Sequence, residues 1–215
     1  VDDRLEAVSH GVAMAIDGST AVTSLMSGFG DNYGVAVHAI GPDEVRATHS
    51  PNWDVGRYPG VFTRALGIAG NTAWVASAGG HLTALDLDSP DLARIGVFDT
   101  VGSLVGLDGA GSTLFARANQ SAQTIDVSNP TEPAHAELLS AGYHYSDVAG
   151  TGRVVALSSR GQSDMVYDRL ELFHRSPTGP HRTLEYETHE GGLTGDAVTA
   201  GAGHLAYLVN GYPQG

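Results

Sequence analysis

The chain has 215 residues, 24 acidic and 11 basic, so its formal net charge is -13. Every basic residue is an arginine, and a surface this negative repels phosphate backbones and anionic lipid, which argues against nucleic acid and the membrane surface as partners. Without cysteine there is no disulfide framework, thiolate nucleophile or cysteine-ligated zinc, and no apolar run reaches the ~18 residues of a membrane-spanning helix.

The remaining composition favours an all-β globular chain. Hydrophobic residues make up 41% of it, too many for disorder, and 29 glycines suit many tight turns between short strands. The start at Val1, with neither methionine nor a leader, reads as a processed or trimmed chain, which points to export.

Taken in chain order, "AVSHG" with His10 leads into a first pair of apolar stretches, "STAVTSLMS" from Ser19 and "GVAVHAIGPDEVRA" from Gly34. "THSPNWDVGRYPGVF" follows, and then comes "TAWVASAGGHLTALDLDSP" from Thr72. "TLFARANQSAQTIDVSNP" from Thr113 repeats that last stretch: Thr72 and Thr113 are 41 apart, while Asp86 to Asp126 and Pro90 to Pro130 are each 40 apart. "GRVVALSSR" from Gly152 and "RLELFHRSPTGPHRT" from Arg169 form a further copy, and "GDAVTAGAGHLAYLVNGYPQG" opens a fifth and stops.

Each unit reads as four short strands separated by glycine, polar and Asx/Pro turns. The apolar stretches are too short, and too closely bounded by glycine, for helices. Four antiparallel strands every ~40 to 45 residues is the spacing of a propeller blade. The expected architecture is therefore a β-propeller of about four and a half units, over 10–60, 61–100, 101–142, 143–190 and an incomplete 191–215. Ala73–Ser77, Leu114–Ala118 and Val154–Ser158 are expected to be equivalent second strands. Half a blade is missing from the last unit, so the ring is expected to be open, part of a longer chain or completed by a partner.

The units "HLTALDLDSPDLARIGVF" and "AQTIDVSNPTEPAHAELL" resemble the LVIVD-type propeller repeat, in which a strand ends in Asp and a Ser/Asn/Asp-Pro turn follows. On this alignment His38 and Phe173 stand where the first and fourth units should carry the aspartate. The resemblance implies a secreted or surface bacterial protein and brings no common reaction with it. Asp86 and Asp126 are expected to hold the turns that follow them. The sharper alternative, a calcium loop in "DLDSPD", fails the EF-hand pattern, which needs an oxygen ligand and then glycine where Pro90 and Asp91 stand.

No nucleophile elbow, H-E-x-x-H, P-loop or Rossmann fingerprint occurs in the chain. A site is expected where the loops that precede each innermost strand converge. Trp53, Arg57 and Tyr58 in the longest of these loops, with Tyr143 and Tyr145, are the candidate ligand-binding residues. Imidazoles and carboxylates in the same loops, His10, His144, Asp147, His189 and Glu190, are candidate ligands for a divalent metal, zinc or calcium. The expected function is a non-enzymatic extracytoplasmic propeller that binds a protein or glycan through its loop face. The alternative is a metal-binding propeller, a periplasmic carrier or a metal-assisted hydrolase or lyase.

Overall fold

The computed structural model describes residues 14–26, 33–40, 45–49, 63–77, 79–100, 102–118, 120–141, 145–151, 153–160, 168–176, 179–188, 193–201 and 204–211. All regular structure among them is β-strand.

Four strands in sequence order, β1 (Met14–Asp17), β2 (Thr20–Met26), β3 (Tyr33–Ile40) and β4 (Val45–His49), form the first antiparallel sheet. The second is β5 (Thr63–Ala69), β6 (Thr72–Ser77), β7 (His81–Asp86) and β8 (Arg94–Asp99). The third is β9 (Leu104–Ala110), β10 (Thr113–Ala118), β11 (Ser121–Asp126) and β12 (Ala134–Ala141). β13 (Tyr145–Gly150), β14 (Val154–Arg160), β15 (Asp168–Ser176) and β16 (Gly179–Thr188) make the fourth, and β17 (Leu193–Gly201) with β18 (His204–Gly211) a two-stranded fifth. The segments expected to be equivalent lie in β6, β10 and β14, each the second strand of its sheet.

Local chemistry explains the hairpins. β1–β2, β5–β6 and β9–β10 each close through a two-residue loop opened by glycine, and Gly18, Gly70 and Gly111 have φ of 56°, 59° and 60°. A positive φ at the first central position is what a type II′ turn requires, and its twist matches that of the flanking strands. At the β7–β8 and β11–β12 hairpins, Asp86 Oδ1 accepts the Asp88 N–H and Asp126 Oδ1 accepts the Ser128 N–H, both at 2.9 Å. These are Asx turns, the staple role expected of the two aspartates.

Strand registers move the divergent positions by one residue. Asp86 pairs with Thr72 and Asp126 with Thr113; the matching residues are Ala39, opposite Thr20, and His174, opposite Val154. His38 and Phe173 are their neighbours and point to the opposite face. In the sequence Pro42 and Pro177 follow Ala39 and His174 by three positions, where Pro90 and Pro130 follow the aspartates by four, so counting back from the proline slips the register.

The sheets stack face to face through a series of apolar layers. Leu66, Ile68, Ala73, Val75 and Leu85 pack against Val22 and Val35 of the first sheet. The opposite face of the second sheet sets Trp74, Ala76, Leu82 and Ala84 against Leu104, Leu114, Ala116 and Ile125. Phe115 then packs with Val148, Val155, Leu157 and Phe173, and Ala149 and Ala156 with Val198. First strands are innermost: β1 touches β5, β5 touches β9, β9 touches β13 and β13 touches β17. β1 and β17 are not among the strand pairs in extensive contact.

Candidate functional site

The inner strands carry a set of polar contacts that cross from one sheet to the next. Four of them share a β-bulge near their start, at Arg64 in β5, Val105 in β9, Ser146 in β13 and Asp196 in β17. A bulge raises local twist and re-aims the residues beside it. Asp147 directly follows the bulge in β13, and its Oδ1 accepts the Val148 N–H at 2.9 Å. Its Oδ2 crosses to the next sheet and accepts the Val198 N–H of β17 at 3.0 Å.

Asp108 does the same one junction earlier. Its Oδ1 accepts the Gly109 N–H at 2.8 Å, and its Oδ2 accepts the Gly150 N–H of β13 at 2.7 Å. Each carboxylate thus bonds its own following amide and one amide of the neighbouring inner strand. Arg117 completes the set from β10. It lies over Gly106 and donates Nη1–H to the Tyr145 carbonyl of β13 and Nη2–H to the bulged Val105 carbonyl of β9, the latter at 3.1 Å.

Burial governs the electrostatics. Desolvation is the largest influence on Asp108 and pushes its carboxyl above the usual range, against the lowering effect of the Gly150 and Gly109 amides; Asp147 and Asp17 add to the rise. Asp147 is raised by burial too, opposed by the Val198 and Val148 amides and by Arg117. Burial lowers Arg117, and Asp147 opposes that shift.

An acid raised in the folded state contributes stability that is fully present below its unfolded pKa, about 3.9, and is lost as pH rises through the folded value. The wild type is therefore expected to lose stability relative to Asp108→Asn and Asp147→Asn variants from about pH 4 upward, with the difference levelling once both carboxyls ionise. Denaturation midpoints between pH 4 and 7 check this. A wild type that gains on the variants as pH rises would mean that the amide bonds outweigh desolvation.

Tyr145 and Asp147 are the two expected site residues whose side chains are described. Tyr145 is expected on the loop face but is only 3% exposed, packed with Phe115, Leu139 and Phe173 between the third and fourth sheets. Its hydroxyl donates to the buried Glu171 Oε2 at 3.3 Å, so its place is in the core between sheets. Both Asp147 oxygens are engaged by backbone amides. His10, Trp53, Arg57, Tyr58, Tyr143, His144, His189 and Glu190 lie outside the described residues. Among the described residues no group of three or more His, Asp or Glu side chains is placed to hold a metal ion.

Asp108, Arg117 and Glu171 were not among the expected residues. A signal for the first of these exists in the repeat itself. Asp108 stands opposite Phe115 as Gly67 stands opposite Trp74 and Ala149 opposite Ala156. A charged residue where the first, second and fourth units carry glycine or alanine marks a departure from the apolar pattern.

Solved structures with this arrangement are similar to the chain at low identity. The Cps50 (Swd1) beta-propeller domain of Myceliophteria thermophila shares 15% identity at a TM-score of 0.62, covering 89% of this chain and 64% of that one. The fold is a β-propeller. Apo AztD from Citrobacter koseri (13% identity, TM-score 0.55) covers 81% of this chain and 46% of that chain, and the N-terminal domain of Nup159 (12%, 0.53) covers 93% and 53%. The chain thus spans about half to two thirds of the length of the solved propellers it resembles. No family model matches it, and no curated protein matches it. In this propeller Asp108, Asp147 and Arg117 tie successive blades together at their innermost strands.

Proposed function

We propose that the chain is a binding scaffold that takes a protein partner on the face where its inner strands begin. The observation that carries this reading is the unequal length of the connections there. Residues 50–62 separate β4 from β5, whereas 100–103, 142–144 and 189–192 make the corresponding connections further on. Trp53, Arg57 and Tyr58 belong to the long one, and such residues are common anchors of protein interfaces. A scaffold tied blade to blade gives loops a fixed base from which to present side chains.

Placement outside the cytoplasm, and membership of the LVIVD-type repeat group, rest on the resemblance of the units around Asp86 and Asp126. The test is binding to a partner identified by cross-linking in the source organism. The variant Trp53→Ala/Tyr58→Ala is expected to weaken that binding at least about tenfold, the loss of about 1.4 kcal/mol, with an unchanged melting temperature. Unchanged affinity, a polysaccharide as the cross-linked species, or binding that depends on added zinc would overturn this reading.

A further inference from the structure

One face of the first sheet differs from its counterparts in the rest of the stack. Pairing fixes the correspondence: Ile16 stands opposite Ala21 as Ile68 stands opposite Ala73, and Met14 opposite Thr23 as Leu66 opposite Val75. Ala21 in turn faces His38 as Ala73 faces Leu85. In the second sheet Leu66, Ile68, Ala73, Val75 and Leu85 are all buried, because the first sheet covers them. The matching inner-strand residues of the first sheet, Met14 and Ile16, are 61% and 57% exposed.

Large aliphatic side chains side by side on an inner strand suit a packed blade junction and serve no purpose in water. The two polar replacements on this face do not prevent burial. Thr23 Oγ1 and His38 Nε2 bond each other at 2.9 Å, so that bond survives when the face is covered. The junction between the first and second sheets shows what fits against such a face. The first sheet meets Leu66 and Ile68 with the small Ala15 on its inner strand and with Val22, Val35 and Val37 on the next two.

We propose that the Met14–Ile16 face is a blade-docking surface, seated in the mature protein by a further four-stranded antiparallel sheet of the same repeat in the same polypeptide. Such a sheet would present a small residue innermost and branched aliphatics behind it. Two observations select this occupant. The face continues, at the same strand positions, the series of junctions that runs through the other sheets. The solved propellers similar to this chain contain substantially more polypeptide than it spans, with 46% to 64% of their length covered. A second copy is disfavoured, since each chain carries a formal charge of -13 and copies repel each other.

Because the chain has no cysteine, a single introduced thiol reports on one position. Ile16→Cys in the 215-residue chain is expected to react with a maleimide as fast as Leu138→Cys, an exposed position on β12. In the polypeptide as its source makes it, Ile16→Cys is expected to react at least about tenfold more slowly, with Leu138→Cys unchanged. Equal rates at the two positions in that polypeptide would overturn the proposal, as would protection already complete in the 215-residue chain. Protection that grows with protein concentration would identify a second copy instead and equally overturn it. Should Ile16→Cys fail to fold, Met14→Cys supplies the same comparison.

Discussion

Gly109→Ala is expected to destabilise the protein by about 3 kcal/mol or more, above the ordinary range for overpacking. A Cβ at Gly109 would sit 1.9 Å from the Ile68 carbonyl oxygen and 3.2 Å from the Ala69 nitrogen, both backbone atoms of β5. Neither strand can yield cheaply. Ile68 is buried against the first sheet, and the Asp108 carboxylate bonds both Gly109 and Gly150. Gly150→Ala should behave similarly, since its Cβ would fall 2.2 Å from the ring of the fully buried Phe115. Gly18→Ala is the control. Its Cβ would meet nothing within 4 Å, so only its φ of 56° penalises the change, by about 1 to 2 kcal/mol. Denaturant midpoints rank the three. A Gly109→Ala cost no larger than that of Gly18→Ala would show that β5 and β9 do not approach as closely as described.

Arg117→Ala is expected to cost about 2 to 4 kcal/mol, since hydrogen bonds from a charged group contribute about 1.5 to 3 kcal/mol each and partial solvation of the vacated site offsets some of the loss. It removes the donors to the Tyr145 and Val105 carbonyls, leaves a gap over Gly106 and takes away the cation that counters burial of Asp147. Arg117→Lys should rescue little, because one ammonium cannot reproduce a fork that spans carbonyls on two strands. The Asp147 pKa, followed by NMR, should climb further in Arg117→Ala than in wild type, since desolvation then acts with less opposition. A Lys variant as stable as wild type, or an unmoved Asp147 titration, would reduce Arg117 to a packing role.

These two variants probe features that differ in how far the repeat reveals them. Gly109 and Gly150 are 41 residues apart, and the offset alone pairs them as equivalent positions. What the repeat does not carry is the reason for glycine there. Ile68, Gly109, Gly150 and Ala200 occupy the same place opposite Ala73, Leu114, Val155 and Leu205, yet two are not glycine. The requirement comes from the neighbouring blade, and neighbours in space are not neighbours in sequence.

Tyr145 illustrates the same limit from the other direction. Next to His144 it reads as a loop residue; in the fold, the strand begins with it and its ring turns between two sheets. A bulge at Ser146 follows at once, and no glycine stands beside it to announce one. Asp147 reads as a metal ligand by residue type, but both its oxygens are taken by backbone amides, one of them 51 positions away.

The sequence by itself determined the strand content, the four-strand period, the glycine-opened hairpins and the Asx turns at Asp86 and Asp126, because each depends on residues within a few positions of one another. Only the tertiary structure decided which charged residues are buried between blades, where the inner strands bulge and which apolar face is left uncovered. Those outcomes depend on which atoms of the adjacent sheet arrive within a few ångströms, and on the desolvation that follows. A repeat fixes the blade, while the junction between blades is fixed by both partners at once.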